Sequence, residues 1–155
     1  MTSEGSVDLT DKMIEEVIKA DNQLILFIRG HLYLEHYVNL AIEKKFSNSN
    51  ELIDDAHFTF NYKIKILHGL GFLDKWLFTY AKAMNEIRNQ FAHNLNPADK
   101  KIEDKIRSLR IPWIQEKFLS EMNQYARYQI IAVNTVKEIK NALEQNRNAL
   151  FDYPF

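Results

Sequence analysis

Residues 73–93 read LDKWLFTYAKAMNEIRNQFAH, and this stretch decides the fold class. Its large apolar side chains recur every three or four residues, the spacing that places them on one face of an α-helix. The residues of this apolar seam are Leu73, Leu77, Tyr80, Met84, Ile87 and Phe91. We therefore predict a strongly amphipathic helix over about residues 73–93 that packs its seam into a protein core.

A second helix is predicted from about Asn22 to Phe46, and it is apolar on most of its faces, which favours a central, buried position. Gly30 lies inside it, either where another backbone comes close or as a weak point of the helix. Further helices are predicted over residues 9–20 with Thr10 and Asp11 as N-caps, around Glu51–Ala56, through Ile64–Leu70 with Gly69 and Gly71 ending it, over Lys100–Leu109, and over Trp113–Ala149.

The fold expected from this pattern is all-α, an up-and-down helical bundle of four main helices plus short helices. With 155 residues, 46% of them hydrophobic, the chain is long enough for one core and too short to expect two. We expect a single domain over residues 1–155, with residues 1–8 as a loose N-terminal tail.

Composition narrows the function classes. The absence of Cys removes disulfides, thiolate metal sites and Cys nucleophiles, and it fits a reducing cytoplasm. The most apolar segment, residues 24–42, is interrupted by Arg29, His31, Glu35 and His36, so no membrane crossing is expected. A formal charge of −1 gives no global attraction to polyanions, so nucleic acid would need a local basic patch.

The segment EIRNQFAHN, residues 86–94, carries the chemistry-bearing side chains. On a helical wheel, Lys82, Glu86, Asn89 and His93 gather opposite the apolar seam, with Arg88 near its border. Metal-independent RNA cleavage needs a base near neutral pH for the 2′-hydroxyl and fixed positive charge beside the phosphate. His93 suits the first task and Arg88 the second, while Asn89 could orient the imidazole or a phosphate oxygen.

RNQFAH resembles the R-polar-x-x-x-H motif of the HEPN superfamily, small helical bundles that often act as metal-independent endoribonucleases in toxin and antiviral systems. Two stretches, FTFNYKIKILHGLGFLDKWLFTYAKAMNEIRNQFAHN and RGHLYLEHYVNLAI, are also similar to the mannitol operon repressor family, a helical branch not generally regarded as nucleases. The resemblance covers roughly residues 22–110.

The HEPN resemblance implies a homodimer whose motif helices face each other across the two-fold axis in one composite cleft. Arg88, Asn89 and His93 then become the catalytic residues, with Glu86, Glu35 and Lys82 in supporting positions. It implies an RNA substrate, no cofactor, and an antitoxin or other protein as a further partner. The candidates for an RNA-binding patch are Lys100, Lys101 and Lys105, although acidic residues are interleaved with them, as on an ordinary solvated helix.

Structural interpretations stand beside each functional one. His93 at a helix C-terminus suits the helix dipole, and Arg88 could pair with Glu86 or Asp99. His31 and Glu35 share a helix face, but the order H-x-x-x-E-H matches no zincin motif, so no metal site is expected. Glu35 is interpreted instead as a buried acid that pairs with Arg29 or with the motif helix.

Two functions follow from the sequence. The first is a dimeric HEPN-like endoribonuclease, a toxin or phage-defence effector acting in the cytoplasm. The alternative is a non-catalytic transcriptional regulator or protein-interaction module of the mannitol-repressor kind. Because the chain is nearly neutral and shows no recognition helix rich in base-reading side chains, the alternative favours a protein over DNA as the partner.

Overall fold

The computed structural model describes residues 9–93, 100–109 and 114–145. Within those ranges the chain forms eight helices and no strand, which confirms the all-α prediction. The helices are α1 (Leu9–Ile18), α2 (Gln23–Lys45), α3 (Ser49–Ile53), α4 (Phe60–Gly69), α5 (Lys75–His93), α6 (Lys100–Ser108), α7 (Glu116–Ser120) and α8 (Gln124–Gln145). The expected tail, residues 1–8, lies outside the described residues.

Helix α2 begins and ends where the sequence predicts. The side chain of Asn22 accepts a hydrogen bond from the backbone N–H of Ile25 at 3.0 Å and so caps the first turn. At the other end the backbone N–H of Phe46 donates to Ile42. Helix α2 packs against α1, α4, α5 and α8, so it occupies the centre of the bundle, as its apolar composition predicts.

The core is built around Phe27 on α2. Its ring stacks on Phe91 of α5, with centroids 5.9 Å apart, and meets Tyr128 of α8 at the same centroid distance. All three side chains are at most 2% exposed. Aromatic pairs at this separation add to the stability gained from burial, so one side chain joins the three longest helices.

Gly30 lies one turn further along α2, at the crossing with the same two helices. A Cβ placed there would meet Met84 Cε of α5 at 3.3 Å and Ala132 Cβ of α8 at 3.8 Å. The close approach predicted at Gly30 is therefore made by side chains, and the residue leaves the space that the Met84 side chain fills.

The end of α4 is set by Gly71, whose φ of 80° is a left-handed conformation. The backbone N–H of Gly71 donates to the carbonyl of His68, and the N–H of Phe72 donates to the carbonyl of Leu67. These two bonds close the C-terminus of α4. The helix-ending role predicted for Gly71 is confirmed. Gly69 instead lies within α4 as its last residue.

Three predicted boundaries are wrong. One helix is expected from Trp113 to Ala149, two residues that lie outside the described ranges. The structure has two helices instead, because α7 ends at Ser120 and α8 begins at Gln124. The Asn123 side chain caps α8 by accepting from the N–H of Ala126 at 2.8 Å. Thr10 and Asp11 lie inside α1 rather than capping it. The short helix expected around Glu51–Ala56 is α3, two residues earlier at its start.

Among the described residues, none of the helices combines the length and the hydropathy that crossing a bilayer requires.

Replacing Phe27 with Ala should lower the free energy of unfolding by about 3–5 kcal/mol, because a buried aromatic side chain is lost from the junction of three helices. Leu32→Ala on the same helix is the matched control, since Leu32 is 57% exposed and should change stability by no more than about 0.5 kcal/mol. Urea unfolding followed by circular dichroism measures both. Equal losses for the two variants would contradict this account of the core.

Candidate functional site

The Arg88 and Asn89 side chains of α5 are joined directly. Nη1 of Arg88 donates to Oδ1 of Asn89 at 2.9 Å, with Arg88 exposed and Asn89 half-buried. Because the two residues are adjacent on the helix, Arg88 must bend its side chain toward Asn89 to make this bond. The bond orients the guanidinium toward Asn89 and uses only one of its five N–H groups.

Both side chains line a cavity of about 340 Å³ between α2, the start of α4 and α5. We call this the α2–α5 cavity, and its walls are polar apart from one aromatic ring. Its lining residues are His31, Glu35, Thr59, Phe60, Asn61, Asn85, Arg88 and Asn89.

His31 is the most deeply buried member of this set, with 3% of its surface exposed. Its ring packs against Phe60 with centroids 4.7 Å apart, and its Nε2 has no hydrogen-bond partner among the residues that the structure describes. Burial lowers the pKa of His31 below its ordinary 6.5, and the Arg88 guanidinium lowers it further. The Glu35 carboxylate and a hydrogen bond with the Asn85 side chain act in the opposite direction and are outweighed by burial. The imidazole is therefore held neutral at pH 7.

Glu35 is half-buried one turn after His31 and lines the cavity beside Arg88. Of the two partners considered from sequence, Arg29 is bound elsewhere, since its Nη1 donates to the backbone carbonyl of Glu16 at 2.7 Å. The structure thus places Glu35 against the motif helix. No ion pair joins Glu35 to Arg88 in the described part of the chain, so the two charges face the same space unpaired with each other.

Asn85 is the functional-site residue that sequence reasoning missed. It is buried to 7% exposure, its Nδ2 donates to Asn61 Oδ1 at 3.3 Å, and it also hydrogen-bonds His31. A signal for it existed, because Asn85 precedes Arg88 and Asn89 by three and four residues and so shares their helix face.

Other predicted site residues lie apart from this cavity. His93 is exposed at the last position of α5 and is not among the cavity-lining residues. Lys82 is exposed and also lies outside the lining. Glu86 forms an ion pair with Lys105 of α6. The pairing of Arg88 with Glu86 is therefore wrong, and Asp99, the other partner considered, lies outside the described residues.

The basic residues of α6 are partly neutralised by acids. Lys105 binds Glu86 on α5, and Arg107 binds Glu103 one turn earlier on α6. Lys100 and Lys101 are exposed at the start of the helix. The candidate RNA-binding patch thus has one of its three lysines committed to holding α6 against α5.

His31, Glu35 and His36 are the residues whose sequence spacing raises the possibility of a metal site. Over residues 9–93, 100–109 and 114–145, no group of three His, Asp or Glu side chains could hold a metal ion. His36, the third member of that sequence cluster, is exposed and lies edge-on to the Tyr37 ring.

The lowered pKa of His31 predicts how stability depends on pH. Below pH 6.5 the unfolded chain binds a proton that the folded chain does not, so this contribution to stability is complete above pH 6.5 and is lost as the pH falls through the lowered pKa. Urea unfolding of His31→Gln should show a weaker loss between pH 7 and acid than the wild type.

His36→Gln, at an exposed histidine of the same helix, should keep the wild-type pH dependence. An NMR titration of the wild-type His31 ring gives the pKa directly, without a variant. A midpoint at or above 6.5 would contradict the buried, neutral imidazole.

No known family model matches this chain, and no curated protein sequence matches it. A solved structure with a similar fold is the X-ray structure of the MtlR-HPr complex from Escherichia coli, which is 18% identical in sequence with a TM-score of 0.55. The match covers 88% of this chain and 96% of that one. At this identity the likeness shows the fold alone: a helical bundle of the MtlR kind.

Proposed function

We propose that this chain is a non-catalytic interaction module of the mannitol-repressor kind, which regulates by binding a globular protein. The observation that carries the proposal is the likeness to MtlR, captured in complex with HPr, over 88% of the chain. HPr is accordingly the first partner to test. The sequence resemblance to the mannitol operon repressor family supports the same choice.

The charges favour a protein over a nucleic acid as partner. The net charge is −1, and the phosphate backbone of RNA or DNA is bound chiefly by unpaired Lys and Arg side chains. On α6 two of these cations, Lys105 and Arg107, are bound to Glu86 and Glu103. Using them on phosphate would require breaking both ion pairs.

Five large apolar side chains are exposed on the described surface and could contact a protein partner. They lie on four helices and one turn, and they are Ile18, Leu32, Tyr62, Leu70 and Phe118, each between 43% and 57% exposed. Single exposed apolar residues are common on any surface. We expect one or two of these, Tyr62 above all, to dominate the interface, because interface energy concentrates in a few aromatic or apolar side chains.

The test is isothermal titration calorimetry of the purified chain with purified HPr. We expect a 1:1 complex with a Kd at or below roughly micromolar, within the range of standard-sized interfaces. Changing Tyr62 or Leu32 to Ser should weaken binding by at least about tenfold if the residue lies at the centre of the interface.

The matched control is His36→Ser, an exposed polar position on α2. No heat signal and no co-elution at millimolar HPr would exclude HPr. Wild-type affinity in both Tyr62→Ser and Leu32→Ser would exclude these two side chains from the centre of the binding surface.

A second candidate function, the HEPN-like endoribonuclease, is favoured by one observation: Arg88 and Asn89 are hydrogen-bonded and line one cavity with Glu35. In this proposal Arg88 stabilises charge at the phosphate, His93 removes the 2′-hydroxyl proton, and Asn89 positions Arg88. Since His93 lies outside the cavity in one chain, the proposal requires a homodimer in which a second copy completes the site.

Purified protein should then cut single-stranded RNA in EDTA and leave a 2′,3′-cyclic phosphate. His93→Ala and Arg88→Ala should each reduce cutting by at least about a hundredfold, since each removes a group acting on the transition state, while His36→Ala should retain it. An RNA panel left intact by the wild type rules out this function and leaves the interaction module standing.

A further inference from the structure

The α2–α5 cavity presents opposite charges from two helices. Arg88 of α5 and Glu35 of α2 both line it, both act electrostatically on His31, and no ion pair joins them. Two opposite charges that share a cavity without pairing form a dipolar receptor, because each can still accept a partner of the other sign. A molecule that carries both signs satisfies both at once.

The polar lining of the cavity also offers hydrogen-bonding groups. Asn85 and Asn61 both line it, and Nδ2 of Asn85 donates to Oδ1 of Asn61 at 3.3 Å. Each amide has two N–H donors and a carbonyl oxygen with two lone pairs, so this one bond leaves donors and acceptors for a ligand. Nε2 of His31 is enclosed by protein atoms and takes no part in the site.

The volume of the α2–α5 cavity indicates the size of a molecule that would fill it. At about 340 Å³ the cavity lies near the lower end of the range for small-molecule sites, which runs from roughly 300 to 1,000 Å³. Since a water molecule takes up about 30 Å³ of liquid, the space corresponds to on the order of ten such groups. A free amino acid fits in a space of this size.

We propose that the α2–α5 cavity binds a small zwitterion of free amino acid size. Its carboxylate lies on the Arg88 guanidinium, in the two-point geometry that a guanidinium provides. Its ammonium donates to the Glu35 carboxylate. Asn89 orients Arg88 through their hydrogen bond, and the ring of Phe60 forms the apolar wall. This ligand site depends on neither function proposed above.

The probes are the twenty free amino acids at millimolar concentration, first by thermal shift and then by calorimetry on the full chain. At least one should raise the melting temperature, because a ligand that binds only the folded state stabilises it. Its N-acetyl derivative, which lacks the ammonium, and its amide, which lacks the carboxylate, should each bind at least about tenfold more weakly, the loss expected for one charged hydrogen bond.

Arg88→Gln and Glu35→Gln should each weaken the binding of the same amino acid at least about tenfold. Neither side chain is fully buried, so both variants should fold. The matched controls are Lys75→Gln on α5 and Glu43→Gln on α2, exposed residues outside the cavity lining, which should bind as the wild type does.

Four results would overturn the proposal. The first is that none of the twenty amino acids binds below about 10 mM, too weak for a built site. The second is that both cavity variants keep wild-type affinity. The third is that the amide and the N-acetyl derivative bind as well as the parent amino acid. The fourth is that adenosine monophosphate or inorganic phosphate binds while no amino acid does. Each of the last two would mean a receptor of different chemistry.

Discussion

The packing of Phe27 against Phe91 and Tyr128 is the contact on which the other features depend. It fixes α2 against α5 and α8 at one level of the bundle. His31 lies one turn beyond Phe27 along α2, and Arg88 lies one turn before Phe91 along α5. Because helical turns are rigid on this scale, the aromatic contact also sets the spacing of the polar groups that form the α2–α5 cavity.

The sequence predicts α2 and α5 well because their signals are local. Asn22 is a strong N-cap residue next to an apolar run, and the seam of α5 repeats without interruption. Periodicity does not predict the break between α7 and α8, because apolar spacing continues through Phe118, Met122 and Tyr125 as in one helix. The sequence signal for the break is Asn123, a residue type that commonly caps helix N-termini.

The residues of the candidate site also differ in how well the sequence predicts their association. Arg88 and Asn89 are neighbours in sequence, so their association could be predicted from helix geometry. His31 and Asn85 could not be placed together, because their contact depends on how α2 and α5 pack, and no single sequence carries that distance. The structure thus assigns His31, considered from sequence only as a metal ligand, to the cavity of Arg88 and Glu35.

The space beside Gly30 gives the bundle an internal chemical reporter. Met84 is fully buried with its terminal methyl against that glycine, and Met13 is equally inaccessible, whereas Met122 is half-buried. Peroxide converts a thioether to a sulfoxide only where it can reach the sulfur. The rates at which Met84 and Met13 gain oxygen would therefore measure how often the two sides of the core open, with Met122 as the internal reference.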